Sequence, residues 1–202
     1  MKKPVEEHAD RFDEIASEYD QDNPPEYRAC ADLVIEHANP TSDDVVLDLG
    51  TGTGAIALAL AGEAGRVVGR DVSEGMLAEA REKAAAGNIE NVAFGTGRFR
   101  EPSYDGPADV VVSNFAMHHL NDDEKREAVA VVADYEPQAF VLGDLMFFGE
   151  PDPDERFYDP ELDDPATVGT LVETLTDAGF VVTEVDRVHD QVGVLVAERP
   201  DP

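Results

Sequence analysis

A chain of 202 residues, of which 42% are hydrophobic, is long enough to form one buried core and short for two. Its 45 acidic and 15 basic residues give a formal charge of −30, which favours a protein adapted to a very salty cytoplasm. The single cysteine excludes an internal disulfide and a multi-cysteine metal site. The charged stretch Met1–Asp13 has no signal-peptide core, and the longest uncharged stretch, Leu49–Gly62, is too short and too rich in glycine to span a membrane.

The first forty residues have apolar side chains at helical spacing, interrupted at Asn23-Pro24-Pro25, and we expect them to form a helical cap. Strands then alternate with helices. The expected strands are Val45–Leu49, Val67–Asp71, Val92–Phe94, Asp109–Ser113, Phe140–Leu145, Val181–Val188 and Val192–Glu198. The expected helices are Gly54–Glu63, Ser73–Ala86, Asp122–Ala133 and Pro165–Ala178. This alternation predicts a doubly wound, Rossmann-like α/β fold with a seven-stranded, mostly parallel sheet, in which the turn His189–Gln191 makes one strand antiparallel.

We expect a single domain spanning residues 1–202. It would comprise the cap (1–40), a cofactor-binding core (41–146), a loop (147–165) and a C-terminal helix with a hairpin (166–199). The loop holds several prolines and many acidic residues, which excludes a regular element. It is interpreted either as a lid over the site or as a solvated excursion.

The stretch VVLDLGTGTG, from Val45 to Gly54, is a buried strand that ends in alternating glycines and leads directly into a helix. Such a loop presents free backbone N–H groups to a nucleotide-like ligand. It also satisfies the dinucleotide pattern G-x-G-x-x-A, and an acid at Asp71 would suit the ribose of either kind of cofactor. Asp48, inside the strand, and the third glycine favour a cofactor without a pyrophosphate.

Three segments, VLDLGTGTG, VVGRDVSEGML and ADVVVSNFAMHHL, resemble the first, second and fourth motifs of class I S-adenosylmethionine-dependent methyltransferases. They occur in the family's order and spacing between Val45 and Leu120. Phe12–Asp20 is similar to the N-terminal signature of small members, and Leu171–Glu198 to their C-terminal part. The resemblance implies S-adenosyl-L-methionine as the cofactor and methyl transfer as the activity.

The resemblance also implies a role for each matching position. The loop residues that would line the methionine part of the cofactor are Gly50, Thr51, Gly52 and Gly54. Asp48 would organise this loop or approach the cofactor's ammonium group, and Asp71 would bind both ribose hydroxyls. The residues that would contact the adenine are Val72 and Met76, and those facing the sulfonium and amino-acid end are Ser113, Asn114 and Phe115. Tyr19, with Tyr27 and Arg28, would close the site from the cap.

The chain departs from the family pattern after the third strand. Members commonly have Gly-Asp there, whereas this sequence has Gly95-Thr96-Gly97. Thr96 and Gly97 are therefore expected to contact the adenine through a hydroxyl, a backbone group or water. Arg70 replaces a usually apolar residue, and we expect it to pair with a carboxylate.

His118 and His119 are the candidate catalytic residues, because a histidine after the fourth strand could take a proton from a substrate hydroxyl or amine. The alternative is that one packs in the loop while the other bonds a carbonyl group. No metal-ligand spacing connects the histidines, so no metal site is expected.

The expected function is S-adenosylmethionine-dependent methyl transfer to a small-molecule acceptor, because no appended domain or basic stripe indicates a macromolecular partner. Nucleic acid is not indicated, but high salt screens charge too well for the acidity to exclude it. The alternatives are a non-catalytic S-adenosylmethionine-binding sensor or partner subunit, and an NAD(P)-dependent oxidoreductase. Membrane association is not expected, and the sequence leaves the oligomeric state open.

Overall fold

The computed structural model describes residues 5–20, 23–151 and 157–200. Its strands are β1 (Val45–Leu49), β2 (Arg66–Asp71), β3 (Val92–Thr96), β4 (Val110–Asn114), β5 (Ala139–Phe147), β6 (Ala166–Thr167), β7 (Val181–His189) and β8 (Val192–Glu198). Its helices are α1 (Val5–Ile15), α2 (Pro25–Ala38), α3 (Ala55–Leu60), α4 (Glu74–Ala86), α5 (Asp122–Asp134) and α6 (Val168–Asp177), with a 3₁₀ turn at Met117–His119.

The strands form one twisted sheet in the order β3-β2-β1-β4-β5-β8-β7. Only β8 runs antiparallel to its neighbours β5 and β7 among the strands of this order. The predicted seven-stranded, mostly parallel sheet with one antiparallel strand is therefore confirmed. The two-residue strand β6, which pairs with the end of β5, was not predicted.

The start of α6 differs from the prediction, which placed it at Pro165. Residues Ala166 and Thr167 pair with β5 instead, and the Thr167 hydroxyl then accepts a hydrogen bond from Thr170 N at 3.1 Å. This side-chain cap sets the first helical residue at Val168. Side chains also cap two other helices: Ser73 caps α4, and Asn121 forms a capping box with Glu124 at α5.

The core lies on both faces of the sheet, because alternate residues of each strand point to opposite sides. Leu47 and Leu49 of β1 face α5 and α6, whereas Val46 between them faces α2 and α3. All three side chains are essentially inaccessible to solvent. This two-sided burial explains the continuous apolar runs in the central strands.

The strand order reverses between β1 and β4, since β2 and β3 lie on one side of this pair and β5 on the other. Loops that leave the carboxyl ends of two such strands diverge and leave a crevice between them, the usual ligand position in open α/β sheets. In the part of the chain that the structure describes, no helix combines the length and apolarity needed to span a bilayer.

Candidate active site

A cavity of about 360 Å³ opens at the carboxyl ends of β1 and β4. Its lining includes twelve of the sixteen residues singled out from the sequence. These are Tyr19, Asp48, Gly50, Thr51, Gly52, Asp71, Val72, Met76, Gly97, Asn114, Phe115 and His119. The motifs therefore converge on one site, although they are spread over a hundred residues of sequence.

The glycine loop requires glycine for two different reasons. Gly50, Gly52 and Gly54 have φ angles of 73°, 53° and 82°, a region that L side chains rarely adopt. At Gly50 a Cβ atom would also lie 2.3 Å from the Cβ of Ala116, where β4 leads into the opposite wall. The close approach of the loop to this wall thus depends on the absence of a side chain at Gly50.

Asp71, the last residue of β2, lies in the cavity lining, in direct contact with the glycine loop. Its Oδ2 accepts a hydrogen bond from Gly52 N at 2.8 Å, and its Oδ1 accepts one from Ser73 N at 2.9 Å. Burial raises the pKa of Asp71 above its ordinary value, while these amide hydrogen bonds act in the opposite direction. The two amides fix the orientation of the carboxylate and leave each oxygen with capacity to accept a further hydrogen bond.

Asp48 lies deeper, in β1, and its side chain is almost fully buried. Burial, together with a smaller effect of the nearby Asp71 charge, raises its pKa to about 7, although the Thr51 hydroxyl donates to Oδ2 at 2.6 Å. A buried carboxyl group of this kind is easily ionised by a cationic ligand. The methionine end of the expected cofactor carries such a cation, its ammonium group.

The N-terminal segment covers the cavity and is fastened on two sides. Asp13 Oδ1 accepts hydrogen bonds from Ser73 Oγ at 2.5 Å and Gly75 N at 2.8 Å, at the start of α4. Asp20 accepts from Thr53 Oγ1 at 2.9 Å and is paired with Lys83. The segment between these anchors therefore lies across the opening.

Aromatic side chains of this segment form the roof of the cavity. Phe12 and Tyr19 contact each other edge to face, and Phe12 also contacts the His119 ring at 5.6 Å between centroids. Burial and the charges of Asp71 and Asp20 raise the pKa of Tyr19 to about 12, so its hydroxyl stays a neutral donor. The Tyr27 ring packs on Phe115 at 4.9 Å between centroids.

The end of β4 contributes a buried amide. Neither polar atom of the Asn114 side chain makes a hydrogen bond of good geometry among the described residues. The nearby Tyr27 hydroxyl approaches this amide, which lowers the pKa of Tyr27, although burial raises that pKa by more. Buried amides without partners are uncommon, so these atoms are available to a ligand. The following residue, Phe115, has a φ of 51°, a strained conformation for a large side chain.

The two histidines have different surroundings. His118 is buried and outside the cavity lining, with its Nδ1 2.5 Å from Asp144 Oδ1 and its backbone N–H donating to Asp144 Oδ2. His119 lines the cavity, and its Nδ1 lies 2.9 Å from Asp163 Oδ1. His119 is therefore accessible to a ligand in the cavity, whereas His118 makes its contacts in the protein interior.

Three further predicted residues lie outside the lining. Gly54 caps α3, where its missing Cβ leaves room for Ala80 and Phe94. Thr96 is exposed, 3.4 Å from Glu74 Oε2, because β3 ends there and points its side chain outward. Ser113 is buried behind the cavity, and its hydroxyl has no hydrogen-bond partner among the described residues.

Several lining residues were not predicted. They are Phe12, Thr53, Ala55, Ile56, Arg98, Phe99, Arg100, Ala116, Leu120, Asn121 and Glu124. Of the two other residues expected to close the site, Tyr27 lines the cavity and Arg28 does not. The segment after β3 lines the cavity through Arg98–Arg100, one to three residues later than the expected contact at Gly97.

The expected partner of Arg70 is wrong. Its guanidinium donates to the carbonyl oxygens of Pro102 at 2.9 Å and Gly69 at 3.0 Å, not to a carboxylate, and it lies over the Tyr104 ring. Arg70 therefore holds the chain after β3 against β2. A sequence pattern does not indicate that a backbone carbonyl will accept a hydrogen bond from a side chain.

Among the described residues, two groups of side chains each bring three potential metal ligands within 4.8 Å of one another. One is His118, His119 and Asp163 beside the cavity, and the other is His37 of α2 with Glu184 and Asp186 of β7. The expectation of no metal, which rested on sequence spacing, stays a prediction.

Comparison with known proteins supports the same family as the motifs. A model described as a methyltransferase domain matches residues 46–135. An uncharacterised methyltransferase of Geobacillus sp. strain WCH70 is 33% identical over 146 residues, 72% of this chain and 64% of that protein. The arsenite methyltransferase of Halobacterium salinarum is 30% identical over 182 residues, 83% of this chain and 46% of that protein. The chain thus spans less than two thirds of the length of these relatives.

Solved structures share the fold. A chain in the complex of the Haloferax volcanii Trm112 methyltransferase activator with a methyltransferase aligns with a TM-score of 0.78, covering 94% of this chain and 98% of that one, at 20% identity. The DhpI–SAH complex aligns with a TM-score of 0.75, covering 98% of both chains, at 23% identity. Motifs, domain match and fold agree: residues 46–135 match a methyltransferase domain, and the chain has the fold of the class I S-adenosylmethionine-dependent methyltransferases.

Proposed function

We propose that this chain binds S-adenosylmethionine in the cavity and transfers its methyl group to a small-molecule acceptor. The observation that carries the proposal is the position of Asp71, whose carboxylate is oriented by Gly52 N and Ser73 N at the edge of the cavity. A carboxylate with two remaining acceptor positions matches the adjacent hydroxyls of a ribose.

The rest of the cavity fits the two ends of the cofactor. Val72 and Met76, next to Asp71, offer an apolar surface to the adenine. At the other end, the buried Asp48 carboxyl and the Asn114 amide suit the ammonium and carboxylate of the methionine part. The orphaned amide is the strongest sign of a missing polar ligand, since buried polar atoms are normally paired.

When bound, S-adenosylmethionine supplies an electrophilic methyl group on its sulfonium. The chain's own residues then have two tasks, to align the acceptor and to exclude water. Phe12, Tyr19 and Tyr27 form a largely aromatic roof, which removes water from the space they cover. Asp13 and Asp20 hold this roof against α4 and the glycine loop.

We assign the proton-accepting role, where the acceptor requires one, to His119 and not to His118. His119 lines the cavity, whereas the His118 ring is buried against Asp144. Replacing His119 by glutamine is expected to lower transfer to an ionisable acceptor roughly a hundredfold or more, without changing cofactor affinity. Normal turnover by this variant would remove His119 as a base.

The relatives' names do not define the acceptor. They include an arsenite methyltransferase and a release factor glutamine methyltransferase. Trivalent arsenic prefers soft thiolate ligands, and the only cysteine of this sequence, Cys30, is buried outside the cavity lining. The cavity lies under the aromatic roof of Phe12, Tyr19 and Tyr27, and this covered position supports a small acceptor.

Calorimetry in molar KCl tests the cofactor. S-adenosylmethionine and its demethylated product should bind, and NAD should give no heat, which would dispose of the oxidoreductase alternative. Asp71→Ala should weaken binding by roughly a hundredfold, the equivalent of about 3 kcal/mol for two charge-assisted hydrogen bonds. The control, Asp43→Ala, removes an exposed carboxylate away from the cavity. Equal affinities for both variants would contradict the ribose assignment.

Transfer of a labelled methyl group tests catalysis. The protein is incubated with labelled cofactor and with separate small-molecule, protein and RNA fractions of an extract. Label appearing in the small-molecule fraction is expected. Cofactor binding with no transfer into any fraction would favour the alternative of a non-catalytic sensor or partner subunit, and transfer into protein or RNA would overturn the acceptor class.

A further inference from the structure

The segment Asp159–Asp164 contacts the wall of the cavity. Asp164 N donates to His118 O at 2.7 Å, and the Lys125 ammonium donates to the carbonyl oxygens of Leu120 and Asp164. Asp163 Oδ1 lies 2.9 Å from His119 Nδ1. These contacts place this part of residues 147–165 against the cavity wall, but none of its described residues lines the cavity, and its interpretation as a lid stays a prediction.

The Asp163 carboxylate is itself held in place. Its Oδ2 accepts a hydrogen bond from Asp159 N at 2.8 Å, which leaves Oδ1 directed at His119. The Asp163 side chain is only 11% exposed. Burial raises the pKa of Asp163, but the hydrogen bond to His119 and the charges of both histidines outweigh it and hold the pKa below its ordinary value.

We propose that Asp163 is the positioning residue for His119. The carboxylate accepts the Nδ1 proton, so that the neutral ring holds the tautomer in which Nε2 is the proton acceptor. When an acceptor O–H or N–H gains the methyl group and the sulfur–methyl bond breaks, its proton passes to Nε2, and Asp163 stabilises the imidazolium that results. This inference rests on the proposed function.

The groups around His119 support these roles of His119 as the proton acceptor and of Asp163 as its positioning residue. The His118 ring lies 4.1 Å from the His119 ring between centroids, and its Nδ1 is held by Asp144. His118 Nε2 is 3.9 Å from the same Asp163 oxygen, too far for a hydrogen bond. Among the described residues, the titratable groups near His119 include Asp163, His118 with Asp144 behind it, and Lys125, which donates to the Leu120 carbonyl.

Histidine NMR tests the pairing without knowledge of the acceptor. The full chain, labelled with ¹⁵N, is titrated in chelator-treated molar KCl, and His119→Gln assigns the resonances. The wild type should show the Nδ1–H tautomer at His119. Asp163→Asn should lower the His119 pKa by about one unit or more and reduce this tautomer's population. Glu161→Gln, an exposed carboxylate in the same segment, should change neither, and Asp163→Glu should restore part of the shift.

The transfer assay supplies the second readout. In Asp163→Asn, the acidic limb of the kcat/KM profile should move to lower pH and the plateau should fall about tenfold or more, with cofactor affinity unchanged. A His119 pKa and tautomer identical in wild type and Asp163→Asn would overturn the inference. Failure of the wild type to bind S-adenosylmethionine would instead refute the proposed function, since the NMR shift does not depend on the cofactor.

Discussion

Asp48 shows how one residue can serve binding at the expense of stability. Its pKa of about 7 in the folded chain lies well above the ordinary value of 3.8, chiefly because of burial. Between these two values the folded state binds more protons than the unfolded state. The stabilising contribution is therefore complete below about pH 4 and is lost as the pH rises through about 7.

Replacing Asp48 by asparagine should separate these two effects. Without ligand, the variant should lose less stability than the wild type between pH 5 and pH 8, by on the order of 1 kcal/mol per pH unit near neutrality. Its affinity for S-adenosylmethionine should fall and no longer rise with pH. Denaturant unfolding and calorimetry across this pH range measure both effects. Asp43→Asn, at an exposed site, is the control, and equal pH slopes in wild type and Asp48→Asn would refute the prediction.

Replacing Gly50 or Gly52 by alanine separates the cost of backbone strain from the cost of a steric clash. Gly50 and Gly52 both have positive φ, but only the Cβ at Gly50 meets another atom, at 2.3 Å from Ala116 Cβ. Gly52→Ala should cost about 1–2 kcal/mol and lower cofactor affinity, because its Cβ points into open space in the cavity. Gly50→Ala should destabilise the fold by clearly more than that. Equal unfolding free energies of the two variants would contradict this explanation.

At the scale of elements, the alternation of strands and helices was predictable because apolar runs and capping residues are local signals. The directions in which side chains point after the end of a strand were not predictable from the sequence. Thr96 points away from the cavity while Arg98 and Arg100 line it, because β3 ends and the chain turns at Gly97, whose N–H donates to Asp71 O at 2.9 Å. The partner of His119 is 44 residues away, at Asp163, and no sequence spacing indicates it.

The N-terminal segment offers a test at this scale. Removing both anchors, in Asp13→Ala/Asp20→Ala, should leave the folded core intact but increase the dissociation rate of S-adenosylmethionine roughly tenfold, equivalent to about 1.4 kcal/mol. Stopped-flow fluorescence with a labelled cofactor analogue measures this rate. Asp10→Ala/Glu18→Ala removes the same charge from the segment without removing an anchor. If both double variants release the ligand at the same rate, the anchors do not hold the roof.

At the scale of the whole molecule, the formal charge of −30 is expected to control how the stability of the fold depends on salt. Repulsion among surface carboxylates opposes the compact state, and salt weakens it, since the screening length falls from about 10 Å at 0.1 M to about 3 Å at 1 M. This weakening of the repulsion by salt is the physical reason why the composition favours a protein adapted to a salty cytoplasm.

We expect the midpoint of thermal unfolding to rise steadily between 0.1 M and 2 M KCl, in a single transition if the chain is one domain. Scanning calorimetry measures it. A triple variant of exposed acids, Glu63→Gln/Glu82→Gln/Glu90→Gln, should show a weaker dependence on salt. Full stability of the wild type in dilute buffer would count against adaptation to high salt.

The position of β8 has a consequence for synthesis. Val192–Glu198 comes last among the described strands, yet it lies inside the sheet, between β5 and β7, and six of its seven residues are buried. While a ribosome is still adding these residues, β5 has an unpaired edge and β7 has no neighbour in the sheet. The nascent protein therefore cannot complete its sheet until Val192–Glu198 has emerged, and a product terminated before Val192 would expose an unpaired, aggregation-prone strand edge to other chains.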